Sequence, residues 1–152
     1  MEIEVKKVDE MQVAYIPYTG PFEVLPQLLG EVVQWVMNKG LQIVGMPFAL
    51  YYNSPMEVPP EELKWETGIP FIGKANEEGR IKIKKIPSQL VLTTIHKGPY
   101  DQVAPVYAAI MQYAFKNSYE IAGPPMELYL NDPREVGESE TLTEIQQPVT
   151  KK

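Results

Sequence analysis

The alternation of hydrophobic and polar positions predicts β-structure at the start of the chain, followed by a helix. Residues 3–8 alternate apolar and charged side chains, and residues 11–18 are apolar and partly β-branched. Both patterns are typical of strands, either one bent strand or two short ones, and Gly20-Pro21 ends them. Apolar residues at the three-and-four spacing of one helix face come next, namely Leu25, Leu28, Leu29, Val32, Val33 and Val36.

The sequence contains an internal repeat. A shift of 78 residues places residues 3–71 on residues 81–149 without a gap. Roughly one pair in four is identical, where composition alone gives roughly one in twenty. A polar segment with glycine at both ends, residues 73–79, joins the copies. Because so long a repeat in two copies is typical of a pseudo-twofold domain, we predict a single domain over residues 1–152, built of repeats 3–71 and 81–149.

Each repeat is predicted to form a strand, a helix and two further strands. Pro26 and Pro105 fit only in a first helical turn, which places both helix starts. Strand-like segments follow the first helix at 42–53 and 62–71. The second helix is expected to present the apolar positions Val103, Tyr107, Ile110, Met111 and Ala114. The predicted fold class is therefore α+β, with two pseudo-twofold strand-helix-strand-strand repeats, an antiparallel sheet and two main helices.

One carboxylate breaks the symmetry of the repeat. Glu127, Tyr129 and Asn131 alternate along one strand, so they share a face, and their repeat mates are Ala49, Tyr51 and Asn53. Glu127 thus corresponds to a small Ala49. If the two strands lie near the twofold axis, this face offers one anion and two Tyr rings to a cationic or aromatic ligand. The alternative is that Glu127 is an ordinary solvated strand residue.

Several aromatic residues are further candidates for ligand contact. Trp65 corresponds to Thr143, so it is a candidate wall of an asymmetric cleft or else a core tryptophan. Tyr107 lies on the apolar stripe of the second helix, where Leu29 is its mate. Tyr15 alternates with apolar neighbours, as Tyr113 does, and for these two and for Tyr107 the alternative is core packing.

Composition excludes several classes of function. The 152 residues carry a net charge of −6, which argues against nucleic acid or an anionic membrane as the partner. With 0 Cys and 1 His, no thiolate or imidazole-rich metal site is available, and we expect no metal and no cofactor. His96 is interpreted as a lone exposed residue. The first residues lack the apolar run of a signal peptide and no segment is long enough to span a membrane, so a soluble cytoplasmic protein is expected.

Three motifs together resemble the GyrI-like effector-binding domains. They are Gly20-Pro21-Phe22 before a helix, GPPMELYLNDP at residues 123–133, and TEIQQPV at residues 143–149. The family forms the ligand-sensing part of multidrug-responsive bacterial activators and also occurs as free-standing proteins. The resemblance implies a tandem strand-helix-strand-strand fold of the SHS2 kind, with a cleft between the repeats for aromatic, often cationic compounds. It also implies that Glu127 matches the family's ligand carboxylate in the penultimate strand.

Three functions follow as hypotheses. The first is a free-standing protein that binds small hydrophobic, aromatic or cationic compounds for sensing, sequestration or detoxification. The second, implied by some relatives, is hydrolysis of cyclopropane-bearing genotoxic compounds with Glu127 as the catalytic group beside aromatic rings. The third is a protein–protein module such as a topoisomerase inhibitor. Since Ile3 already begins the first strand, we expect no direct contact with nucleic acid, and a homodimer or a regulatory protein partner is left open.

Overall fold

The computed structural model describes residues 2–152, and it confirms the predicted α+β class, with two main helices and antiparallel strands. The strands and helices, in chain order, are β1 (Glu4–Val8), β2 (Met11–Thr19), α1 (Leu25–Asn38), β3 (Gln42–Ile43), β4 (Phe48–Tyr51), β5 (Lys64–Ile72), β6 (Lys82–Ile86), β7 (Gln89–Lys97), α2 (Ala104–Lys116), β8 (Tyr119–Ile121), β9 (Met126–Tyr129), α3 (Pro133–Val136) and β10 (Leu142–Lys151). A shift of 78 carries β1 onto β6, β2 onto β7 and β4 onto β9 with identical bounds. Within the described residues, no helix is both long and apolar enough to cross a membrane.

The chain divides into two compact units. The α1 unit is Glu10–Pro87, and the α2 unit combines the residues up to Asp9 with Ser88–Lys152. These boundaries differ from those of the repeats. The first strand of each repeat, β1 or β6, pairs with the second strand of the other repeat, since β1 pairs with β7 and β6 pairs with β2.

The α1 unit is an antiparallel sheet covered by α1. Its strands follow the order β4-β5-β2-β6, and β3 pairs with β5. Pro26 lies in the first turn of α1, as predicted, where a missing backbone N–H costs nothing. The buried stripe of α1 consists of Leu28, Val32 and Val36, one residue per turn, and it packs in the core with Trp65.

The α2 unit has the same plan. Its strands follow the order β1-β7-β10-β9, and β8 pairs with β10. The buried residues of α2 are Val106, Ile110 and Ala114. The expectation that Met111 faces the core is wrong, because its side chain is 42% exposed. The apolar stripe of α2 is wide enough to fit two registers, and packing selects the one centred on Val106 and Ile110.

A carboxylate is paired with a lysine in each unit, and it is buried at Glu66 and half-buried at Glu144. Glu66 pairs with Lys84 in the α1 unit, and Glu144 lies 3.3 Å from Lys6 in the α2 unit. Burial by itself raises the pKa of Glu144, but hydrogen bonds from Gln146 and Thr93 and the charge of Lys6 outweigh it, so its pKa lies below the ordinary value. Because Lys6 and Lys84 lie on β1 and β6, these pairs link the first strand of each repeat to the unit that receives it.

Candidate functional site

Glu127 is a buried carboxylate on β9 of the α2 unit. The residue is only 7% exposed to solvent. Across the ladder, its partner on β10 is Ile145, a core residue that packs with Ile110 of α2. Cross-strand partners share a face of the sheet, so Glu127 lies on the face that α2 covers. Burial on this face removes the carboxylate from bulk water, which rules out the interpretation of Glu127 as a solvated strand residue.

Tyr107 of α2 donates a hydrogen bond to Glu127. Its hydroxyl oxygen is 2.6 Å from Glu127 Oε2. Burial, followed by the charge of Glu127 and this hydrogen bond, raises the pKa of Tyr107 far above its usual value. The phenol is therefore neutral over the physiological range and acts as a fixed donor to the carboxylate. Tyr107 follows the core residue Val106, which holds this turn of α2 on the sheet.

We expect the burial of Tyr107 and its contact with Glu127 to make the stability of the fold sensitive to alkali. Tyr107 has a raised pKa when folded and about 10 when unfolded, so its contribution to stability is complete below pH ~10 and declines as the pH rises further. We expect the free energy of unfolding of the wild type to fall more steeply than that of Tyr107→Phe above this pH. The difference in slope should approach about 1.4 kcal/mol per pH unit. Urea titrations from pH 8 to 11 measure it, and parallel curves for the two proteins would contradict the assignment.

Tyr129 and Tyr100 place two further rings near the carboxylate. Tyr129 lies two residues from Glu127 on the same face of β9. The ring of Tyr100 meets that of Tyr129 edge-on, with centroids 5.5 Å apart. Burial, then the charges of Asp132 and Glu127, raise the pKa of Tyr100. Tyr100 was missed as a site residue, although its position in the Gly-Pro-aromatic motif, as the mate of Phe22, was a usable signal.

The structure thus brings together Glu127, Tyr107 and Tyr129 of the predicted site residues. The remaining four belong to the α1 unit. Ala49 is fully buried on β4, and Tyr51 packs edge-on against Phe22. Trp65 is 1% exposed, and its Nε1–H donates to the Gly20 carbonyl oxygen at 2.9 Å. This burial favours core packing for Trp65, and a role of these residues in ligand contact stays a prediction.

Tyr15 lies on the other face of the α1-unit sheet. Its partner on β5 is Gly68, whereas Trp65 and Tyr51 occupy the alternate positions. Lys84 Nζ lies 4.3 Å from the centroid of the Tyr15 ring and pairs with Glu66. The tyrosine is therefore already in contact with a cation of its own unit.

Two asparagines hold the ends of β4 and β9. The Asn131 side chain donates to the Glu140 carbonyl oxygen at 3.1 Å and accepts from the Leu142 N–H at 2.8 Å. Asn53 makes the equivalent pair of bonds, to the Glu62 carbonyl oxygen and from the Lys64 N–H. Identical roles in both repeats identify Asn131 and Asn53 as loop-closing residues, and Asn131 thereby fixes β9, with Glu127, against β10.

Over residues 2–152 there is no group of three or more His, Asp or Glu side chains placed to hold an ion. His96 is half-buried, and its Nε2–H donates to the Pro99 carbonyl oxygen at 2.9 Å. This bond closes the turn before Tyr100, so His96 has a structural contact in place of the predicted exposure.

Comparison with solved structures shows close likeness to the C-terminal domain of EcmrR. The crystal structure of the EcmrR C-terminal domain has a TM-score of 0.89 and 29% identity, over 99% of this chain and 98% of that one. This chain covers 58% of the EcmrR chain in the EcmrR–DNA complex. A hydrolase from Listeria innocua has a TM-score of 0.76 at 13% identity, over 98% of this chain and 92% of that one, a likeness that shows the fold alone.

Comparison of sequences gives the family. A protein of Erwinia billingiae named DNA gyrase inhibitor is 30% identical over 159 aligned positions, which cover 99% of each chain. The GyrI-like small molecule binding domain matches residues 1–150. Because that match spans nearly the whole chain, the protein belongs to the GyrI-like small molecule binding domain family, as its three motifs predicted.

Proposed function

We propose that this small molecule binding domain takes hydrophobic, planar cations, with Glu127 as the carboxylate that receives the positive charge. The observation that carries the proposal is the placement of Glu127, which is 7% exposed and fixed by the Tyr107 hydroxyl at 2.6 Å. A carboxylate that has lost most of its hydration attracts a cation more strongly than a solvated one does.

The surrounding rings favour an aromatic cation over a simple one. Tyr107 donates to the carboxylate, and Tyr129, two residues along β9, is in edge-on contact with Tyr100. An aromatic face attracts a cation by roughly 0.5–2 kcal/mol, and it also packs against a flat apolar ligand. The net charge of −6 favours the approach of cations from solution.

An isosteric pair of probes tests the charge dependence of binding. The cation 1-methylquinolinium and the neutral 1-methylnaphthalene have the same shape and differ in one ring atom. We expect the wild type to bind the cation at least tenfold more tightly, measured by fluorescence titration or by chemical-shift perturbation. Equal affinities would show that binding depends on the apolar surface only, and the role of the carboxylate would be wrong.

Hydrolysis of cyclopropane-bearing compounds is the second candidate function. The observation that favours it is the same hydrogen bond, because a neutral Tyr107 orients Glu127 as an acceptor that directs a water molecule at a strained ring. Ring opening by water adds one water to the mass of the compound, whereas binding leaves the mass unchanged. Mass spectrometry after incubation with such a compound therefore separates turnover from binding.

A further inference from the structure

The α1 unit contains an aromatic cluster centred on Trp65. The Trp65 ring lies 5.1 Å from that of Tyr18 and 6.0 Å from that of Phe22, measured between centroids. Phe22 in turn meets Tyr51 edge-on at 5.2 Å. Along the sheet, Tyr18, Trp65 and Tyr51 form one row, because each is the ladder partner of the next. The indole thus contacts the rings of Tyr18 and Phe22 on the face that packs with α1.

The α2 unit repeats this cluster with one ring missing. The shift of 78 places Tyr100 on Phe22 and Tyr129 on Tyr51, and these two rings also meet edge-on, at 5.5 Å. The ladder row is conserved between the units, since His96 pairs with Thr143 and Thr143 pairs with Tyr129. At the centre of the row, where the α1 unit has its indole, the α2 unit has the small side chain of Thr143.

Thr143 is an unusual residue for the centre of this row. It is 0% exposed, and its Oγ1 makes no hydrogen bond with any part of the chain that the structure describes. A buried hydroxyl without a partner is unfavourable, so a protein retains one where it serves a purpose or where a partner arrives from outside. In the α1 unit the Gly20 carbonyl oxygen accepts from the Trp65 indole. Its repeat mate in the α2 unit, the Gly98 carbonyl oxygen, accepts from Thr141 Oγ1 instead.

Glu127 stands beside this position. Tyr129 is directly opposite Thr143, and Glu127 is two residues along the same strand face, opposite Ile145. Diagonal neighbours of this kind are roughly 7–8 Å apart, about the width of a two-ring aromatic system. The mate of Glu127 is the buried Ala49. The replacement of Trp65 by Thr143 therefore coincides with the replacement of Ala49 by an acid.

We propose that the ligand of the α2 unit is a bicyclic aromatic cation whose ring takes the place that the Trp65 indole takes in the α1 unit. The ring packs on Thr143 beside the contacting Tyr100 and Tyr129 rings, as the indole lies beside Phe22 and Tyr51, and its cationic atom faces Glu127. This inference rests on the proposed function, and it adds the size and position of the aromatic part. Trp65 serves as the internal template for both.

A tryptophan side chain at position 143 would occupy the proposed place of the ligand ring, and this tests the proposal. Thr143→Trp supplies the indole that the α1 unit has, so it should compete with the ring of a bound ligand. We expect its affinity for 1-methylquinolinium to fall more than tenfold, while its affinity for tetramethylammonium, which has charge and no ring, stays within threefold of the wild type. Titration followed by nuclear magnetic resonance measures both probes, and circular dichroism verifies that the variant is folded.

A second variant keeps the test decisive if the tryptophan does not fit the folded chain. Thr143→Leu fills part of the same position, and its affinity for 1-methylquinolinium should lie between those of the wild type and Thr143→Trp. Wild-type affinity in both variants would overturn the proposal, as would an equal loss of both probes. Glu127→Gln distinguishes failure of this inference from failure of the proposed function. If Glu127→Gln binds 1-methylquinolinium as the wild type does, the proposed function itself is wrong, whatever the variants at position 143 show.

Discussion

Glutamine at position 127 is expected to weaken the binding of 1-methylquinolinium at least tenfold, equivalent to about 1.4 kcal/mol or more. The substitution removes the negative charge but keeps a carbonyl oxygen that accepts the Tyr107 hydroxyl now 2.6 Å from the carboxylate. The site is 7% exposed, so solvent screens the lost attraction only weakly. Fluorescence titration of the purified variant measures the change.

Glu120→Gln is the matched control for this variant. Glu120 lies on β8 of the same unit, its side chain is exposed, and the substitution changes the net charge equally. Because exposed charges contribute little to a buried contact, we expect wild-type affinity from the control. If Glu127→Gln also retained wild-type affinity, the carboxylate would not be the ligand's partner. An equal loss in both variants would instead point to long-range attraction by the acidic surface.

Alanine at position 68 is expected to destabilise the fold by about 3 kcal/mol. Gly68 of β5 lies opposite Tyr15 of β2. A Cβ at this position would collide with the backbone carbonyl oxygen of Ala14 and lie 2.8 Å from the Cβ of Tyr15. Both are atoms on or beside the backbone, so they cannot move without disturbing the ladder. The midpoint of urea unfolding, followed by circular dichroism, should fall accordingly.

Gly30→Ala is a control for which we expect the opposite change in the free energy of unfolding. Gly30 is exposed in the middle of α1, and an added Cβ would meet nothing within 4 Å. Alanine there should raise the free energy of unfolding by about 1 kcal/mol, because glycine is the poorer helix former. If Gly68→Ala were as stable as the wild type, the close approach of β2 and β5 at Tyr15 would be wrong.

The comparison of Gly68 with its repeat mate shows what the sequence could predict about strand packing and what it could not. Gln146 occupies the equivalent position in β10, and its partner is Thr93, which replaces Tyr15. A large residue opposite a glycine in one unit corresponds to two residues of moderate size in the other. The repeat alignment contains both exchanges, but only the ladder register shows that they form one compensating pair.

For the helices, the sequence predicted their positions but not which of their apolar residues are buried. Spacing located α1 and α2 and placed both prolines in first turns, because periodicity and proline chemistry are local properties. It misplaced Met111, although Ile110 and Ala114 of the same predicted stripe are buried, since apolar residues surround that helix almost completely. Which apolar residue is buried depends on the sheet against which the helix packs, and no local pattern contains that information.

The sequence by itself determined the duplication, the type and order of the elements, the family, and the asymmetry between Glu127 and Ala49. Each follows from spacing or from residue chemistry along one stretch of chain. The tertiary structure alone decided that β1 pairs with β7 and β6 with β2, each with a strand of the other repeat. It also decided that Tyr107 donates to Glu127, and that the unpaired hydroxyl of Thr143 lies at the position of Trp65 in the other unit. The reason is physical: alternation fixes the face on which a side chain lies, whereas its partners depend on strands and helices distant in sequence.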